Sequence, residues 1–190
     1  MIKKIGCFLF GGLLFVSCGS NASGTKQEIV NADSSIVVLD DCTNLLNEAK
    51  RLDNILLKAT VVNNDIAEKA MTAFSNFSSN CKKDSLSPVF LVKAGQVAQS
   101  IKNYKLAKSF FEKCTEEFPQ FKNRGAALFL LAQLYDDAYM LNNEQEAKSI
   151  YEKIIKEYPN TPFGIDSKNC LKNLGKTDEQ LVEEFLKMNK

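Results

Sequence analysis

The sequence of 190 residues predicts an all-α fold, a solenoid of about four stacked helical hairpins. The first observation is an internal repeat: residues 107–119 recur forty positions later as residues 147–159, with seven of the thirteen positions identical. Repetition at this period is typical of stacked supersecondary units rather than of one closed core. The second observation is that apolar residues elsewhere follow the three-to-four spacing of amphipathic helices.

Residues 1–17 are predicted to be a secretory signal. Lys3 and Lys4 precede twelve residues, 5–16, that are apolar or glycine. This run is shorter than the about 20 residues that span a bilayer, and it has the basic start and short apolar centre of a signal peptide. The sequence Leu14-Phe-Val-Ser-Cys18 resembles a bacterial lipoprotein signal, which implies that Cys18 is acylated and becomes the new N-terminus. An ordinary signal peptide with an incidental Cys is the alternative.

The residues after Cys18 indicate where the protein is located and how far the folded domain can extend from its anchor. No Asp and no acidic run follows Cys18. By the same resemblance, this argues against retention in the inner membrane and against the surface-export signal of Bacteroidota lipoproteins. The implied location is the periplasmic face of the outer membrane, with a lipid anchor. Residues 18–39 form a predicted flexible tether with a reach of about 25 Å. Its apolar patch, residues 36–39, is either docked on the first helix or a short extended arm.

The helical domain is predicted over residues 40–190 and starts with a degenerate hairpin at 41–81. Asp40 and Asp41 suit a helix start, as caps and against the helix dipole. A second helix is expected over about 65–80, where Ala70-x3-Phe74 echoes the repeat although Lys82 replaces its proline. The apolar face of the first helix comprises Leu45, Ala49, Leu52, Ile55, Leu56 and Ala59.

A disulfide is predicted between Cys42 and Cys81. Cys42 lies near the start of the first helix and Cys81 at the end of the second, so an antiparallel hairpin brings both to the same end. Bridging requires Cα atoms within about 7 Å. Two free thiols are the alternative.

Two central repeats are expected at residues 88–121 and 122–160. The first carries Gly95, Ala98, Ala107, Phe111 and Pro119 at the spacing of the tetratricopeptide signature. In the second, about three extra residues near 141–143 lengthen the unit, and its first helix shows Leu128, Leu131, Ala132 and Tyr135 at the signature positions. The pair resembles the longer-helix repeats of bacterial envelope proteins, such as the outer-membrane-assembly lipoprotein and the periplasmic coordinator of the Tol-Pal system.

Residues 162–188 are predicted to be capping helices. Thr161-Pro162 starts one helix and Gly175 ends it. Residues 177–180 have capping-box spacing, and Leu181, Phe185 and Leu186 give a short amphipathic helix that would hide the apolar face of the last repeat.

Composition argues against an enzyme, a metal protein and a nucleic-acid-binding protein. The chain has no His, which removes the usual general base and the commonest metal ligand. The cysteines lack metal-ligand spacing, and Cys114 takes the place of Ile154 in the other repeat, as a core residue. Removing Lys3 and Lys4 leaves 22 basic and 23 acidic residues, a net charge of −1. No catalytic residue, metal or cofactor is therefore expected.

The resemblance implies a binding site on the concave face, which tetratricopeptide proteins use for extended or helical peptides. By register this face shows Val92, Gln96 and Gln99 in one repeat, and Ala126, Phe129, Gln133 and Asp136 in the next. Members that bind acidic C-terminal tails place Lys and Asn there, so a carboxylate clamp is not expected. A neutral, amide-rich groove suits a peptide backbone or helix, and the alternative is plain polar surface.

The sequence thus predicts a non-catalytic envelope scaffold that binds another envelope protein. One alternative is a component of the outer-membrane protein assembly machinery. Another is a peptidoglycan-processing enzyme, which the missing His and the repeat pattern disfavour.

Overall fold

A computed structural model describes the backbone of residues 36–188 and the side chains of residues 41–177 and 179–187. The predicted signal, Cys18 and most of the predicted tether lie outside this range. The described part contains helices and no strands, and none of these helices is long and apolar enough to cross a membrane. The helices are α1 (Ile36–Lys58), α2 (Asn64–Asn80), α3 (Ser87–Ser100), α4 (Tyr104–Glu117), α5 (Arg124–Asp136), α6 (Glu144–Glu157), α7 (Pro162–Asn173) and α8 (Asp178–Met188).

From α1 to α7, each helix packs on the helix that follows it, and α5 also touches α7. Contacts between neighbours in sequence are the hallmark of a solenoid, in which each repeat depends mainly on the units beside it. The predicted all-α solenoid is therefore confirmed.

The second helix of each of the first three hairpins begins with an asparagine N-cap. Asn63, Asn103 and Asn143 are the N-cap residues of α2, α4 and α6, and their side-chain oxygens accept backbone N–H bonds of 2.9, 3.2 and 3.2 Å. Such a bond satisfies an N–H group that the helix itself leaves unpaired. The caps lie forty residues apart, so the repeat period extends into the first hairpin.

The positions of these caps correct the predicted alignment of the first hairpin with the two repeats. Four residues after each cap stands a fully buried alanine, which is Ala67 in α2 and Ala107 and Ala147 in the other two helices. The residue that corresponds to Phe111 and Tyr151 is therefore Met71, so the repeat motif is Ala67-x3-Met71 and not Ala70-x3-Phe74. Phe74 is core as well, with its ring 5.0 Å from that of Phe90 on α3.

The first central repeat depends on a close fit between α3 and α4. A Cβ added to Gly95 would lie 2.7 Å from Cδ1 of Phe111, well inside contact distance, and the Phe111 ring is fully buried. Glycine at this position therefore makes room for the ring. At the corresponding position of the second repeat stands Ala132, also fully buried.

The first hairpin starts earlier than predicted. Helix α1 begins at Ile36, so Asp40 and Asp41 lie within the helix, and its first turn contains no acidic residue. The end of the predicted tether is thus helical. A disulfide joins Cys42 to Cys81, with their Cα atoms 5.8 Å apart, and fastens α1 to the end of α2.

At the C-terminal end of the described region, α7 and α8 differ in how they pack. Helix α7 begins after Thr161, whose hydroxyl accepts the N–H of Gly164, and packs on α6. The predicted capping box at the start of α8 is present, because Thr177 and Gln180 bond each other's backbone N–H at 2.9 and 3.3 Å. However, α8 does not pack closely on any other described helix, so the structure does not place it as the predicted cap. Its position depends on the 174–177 connection, where Gly175 has a φ of 75°.

Candidate peptide-binding groove

Helices α3 and α5 carry the seven residues predicted for the concave face, and all seven are half-buried. On α3, Val92, Gln96 and Gln99 are spaced by four and three residues and therefore share one face. On α5, Phe129, Gln133 and Asp136 repeat that spacing. The structure shows that several of these side chains also contact later helices.

Phe129 packs against the helices that follow α5. Its ring centroid lies 5.9 Å from that of Tyr151 on α6 and 6.0 Å from that of Phe163 on α7. Both pairs are tilted, within the range in which aromatic rings attract each other. Phe129 therefore helps to hold the second repeat against α7, and a substitution there would change packing as well as the groove surface.

Asp136 has a structural contact too. Its carboxylate accepts a 3.0 Å hydrogen bond from the hydroxyl of Tyr151, whose side chain is fully buried. Burial, and next the negative charge of Asp136, raise the pKa of the Tyr151 phenol above its ordinary value. Tyr151 is therefore neutral at physiological pH and donates a hydrogen bond to Asp136.

Gln99 reaches from α3 toward the connection between α5 and α6. Its side-chain Nε2 donates to the sulfur of Met140 at 3.5 Å. A thioether is a weak acceptor. If a peptide carbonyl replaced the Met140 sulfur as the acceptor for Gln99, the loss of the original contact would therefore cost little free energy.

An ion pair continues the line of the groove toward α1. Lys93, the residue after Val92, binds the carboxylate of Asp53 at 2.6 and 2.5 Å, and both side chains are 21% exposed. This pair links α3 to α1. The positive charge of Lys93, which adjoins the predicted groove residues on α3, is therefore already paired with Asp53.

Arg124, at the start of α5, was not singled out by the sequence analysis. Its guanidinium donates to the Thr115 carbonyl at 2.8 Å, to Glu157 at 2.6 Å and to the Tyr158 hydroxyl at 3.3 Å. It therefore ties α5 to the ends of α4 and α6. No signal in the sequence indicated this role, because Glu157 and Tyr158 lie more than thirty residues away along the chain.

Two cysteines outside the disulfide lie in the core of the described region. Cys114 and Cys170 are buried, as the correspondence with Ile154 predicted for Cys114. Burial raises the pKa of the Cys114 thiol to about 12, so it stays protonated at neutral pH and is a poor nucleophile. Among residues 36–188, no three His, Cys, Asp or Glu residues are arranged to hold a metal ion.

Comparison with protein families agrees with this arrangement. Two tetratricopeptide repeat models match, one over residues 90–121 and the other over residues 126–161. No curated protein matches the chain. The chain therefore carries two tetratricopeptide repeats, one formed by α3 and α4 and the other by α5 and α6.

Proposed function

We propose that this chain is a non-catalytic scaffold of the bacterial envelope that binds a peptide segment of another envelope protein along α3 and α5. Tetratricopeptide repeats commonly bind protein partners, and two of them match this part of the chain. The groove is defined here by Val92, Gln96, Gln99, Phe129, Gln133 and Asp136.

The observation that carries this proposal is the set of half-buried amides on the two helices. Gln96 and Gln99 lie on one face of α3, and Gln133 lies on α5. An amide side chain offers both donors and acceptors, so it can bond either polar group of a peptide backbone. Val92 beside them gives apolar contact to a side chain of the peptide. The groove therefore suits a neutral backbone or the face of a helix.

Charge argues against an acidic C-terminal tail as the ligand. None of the six groove residues is cationic, and Asp136 is a carboxylate. The adjoining Lys93 already binds Asp53. An unpaired carboxylate brought to this groove would lose hydration without gaining a new cationic partner.

The envelope location rests on the N-terminal pattern. The basic start, the short apolar run and Cys18 support acylation at that cysteine and a place on the periplasmic face of the outer membrane. Several acyl chains on one residue would anchor the chain far better than a single chain. The segment between Cys18 and α1 would keep the groove within a few nanometres of the membrane.

The test uses the full-length tagged chain in its native cells. After chemical crosslinking and purification, we expect at least a tenfold loss of captured partner with Gln96→Ala and Gln99→Ala together. The exposed amides of Gln120 and Gln145 provide the control. Replacing both by Ala removes the same chemistry outside the groove and should leave capture unchanged.

The choice of α3 keeps the effect on folding small, because Gln99→Ala removes only a weak hydrogen bond to the Met140 sulfur. Phe129 packs on Tyr151 and Phe163, so its removal would confuse loss of binding with loss of packing. Circular dichroism of the α3 variant should match that of the wild type. Undiminished capture by a folded α3 variant would move the binding surface elsewhere.

A further inference from the structure

Helix α8 exposes an apolar face. Val182, Phe185 and Leu186 are 47, 62 and 57% exposed, and their spacing of three and one places them on one side of the helix. The opposite side faces the chain's own Lys176, which binds the carboxylate of Glu184 at 2.6 Å. The helix is therefore held at Glu184 on its polar side, and Val182 and Leu186 on the other side remain largely exposed.

The charge of α8 disfavours a membrane surface as the occupant. Between residues 178 and 188 the chain has four carboxylates and one lysine. Interfacial helices are typically rich in Lys and Arg, because these bind anionic lipid headgroups. An acidic helix is repelled by such a surface, so a protein partner with basic residues is the better match.

The neighbouring helix α7 offers the complementary surface. Its outer face contains Ile165, which is 53% exposed, together with the exposed Lys168 and Lys172. These positions are spaced by three and four residues and form one stripe. On α8, Glu179 and Glu183 are exposed, four residues apart, on one flank of the apolar face. Glu183 pairs with Lys187 of its own helix at 2.7 Å, but both side chains are well exposed, so this weak pair can be exchanged for a lysine of another chain. An apolar centre with lysines on one helix thus matches an apolar centre with glutamates on the other.

We propose that α8 of one copy packs on the outer face of α7 of a second copy, so that two chains form a symmetric dimer through their C-terminal ends. Val182 and Leu186 contact Ile165 and the aliphatic stems of the lysines, while Glu179 and Glu183 pair with Lys168 and Lys172. Because each copy supplies one α7 and one α8, the same contact forms twice about a two-fold axis. This surface is separate from the groove on α3 and α5.

The experiment uses two full-length copies with different tags, co-expressed in native cells. A photocrosslinking residue replaces Val182 in one copy, and the adduct is detected with the tag of the other copy. We expect a two-tag adduct that maps to residues 165–172. The same crosslinker at Glu152, an exposed position on α6, is the control and should give no two-tag adduct.

Charge reversal then tests the pairing directly. We expect Lys168→Glu with Lys172→Glu in both copies to lower the two-tag adduct at least tenfold, and Glu179→Lys with Glu183→Lys in both copies to do the same. When one copy carries the first pair and the other copy carries the second pair, both contacts join opposite charges again. The adduct should then recover.

Each other outcome counts against the dimer. A Val182 adduct with a different protein or with lipid would assign the surface to that occupant. An adduct confined to the same copy would mean that α8 folds back on its own α7. Unchanged adduct after charge reversal, or no recovery in the mixed pair, would refute the proposed contact.

Discussion

Replacing Gly95 by Ala tests the packing on which the first tetratricopeptide repeat depends. The new Cβ would lie 2.7 and 2.8 Å from Cδ1 and Cζ of Phe111, distances that real Cβ atoms essentially never show. The ring is fully buried, so it has no open side into which to move. Either the ring or the separation of α3 and α4 must change, and either change disturbs the core of the repeat.

The expected magnitude combines two opposing effects. Overpacking of a core typically costs 1–3 kcal/mol, and an enclosed ring places this site at about 3 kcal/mol. Alanine in a helix is favoured over glycine by about 1 kcal/mol. The free energy of unfolding should therefore fall by about 2 kcal/mol. For a folded region of this size, that corresponds to a melting temperature lower by about 4–8 °C.

The assay is thermal unfolding followed by circular dichroism, with Gly125→Ala as the matched control. A Cβ at Gly125 would lie 3.2 Å from Cγ of the half-buried Tyr158, a much milder contact. We therefore expect a clearly smaller change there. Phe111→Leu combined with Gly95→Ala should lose less stability than the sum of the two single variants, because the smaller side chain relieves the overlap. A melting temperature of Gly95→Ala at or above that of the wild type, or strict additivity of the two substitutions, would show that Gly95 and Phe111 do not pack this closely.

Four further predictions concern other parts of the chain. Denatured, unreduced wild type should show two fewer free thiols than after reduction, and opening the Cys42–Cys81 loop should cost about 4 kcal/mol in the chain-entropy model; equal thiol counts would exclude the bond. A palmitate analogue should label the wild type but not Cys18→Ala, and equal labelling would contradict the anchor. Ala147→Leu should melt several degrees lower because the buried site has no room for a larger side chain, and an unchanged melt would contradict that packing. Because the pKa of Tyr151 is raised in the folded state, its contribution to stability is full below the unfolded pKa of about 10 and is lost as the pH rises further. Tyr151→Phe should therefore lose less stability at alkaline pH than the wild type. An equal dependence of stability on pH in both proteins would mean that another group titrates.

The central repeats could be predicted because their signature residues pack against each other within one unit. Gly95 meets Phe111 in the same hairpin, so spacing along the chain was enough to identify the contact. The register of the first hairpin was harder to predict, because α2 contains two fully buried alanines, Ala67 and Ala70, at positions that share a face. The local pattern at Ala70 fitted the motif. Only the cap at Asn63, forty residues before Asn103, marks the true register.

The groove residues were identified from the repeat register, but their internal contacts were not. Tyr151 and Phe163 come from later helices, so the rings that meet Phe129 depend on how the helices stack. The position of α8 could not be predicted for the same reason. Its apolar period and its capping box predict a helix, whereas the direction of that helix depends on the connection at Gly175.

A photocrosslinking scan of the full-length chain in native cells can show whether the groove on α3 and α5 binds a peptide. The residue is placed in turn at Val92 and Gln96 on α3, and at the exposed Glu116 on α4 and Lys153 on α6. We expect one and the same partner, joined through a single peptide segment, from both α3 positions and from neither control. Adducts of equal yield from α4 or α6, or none from α3, would show that the peptide does not bind this groove.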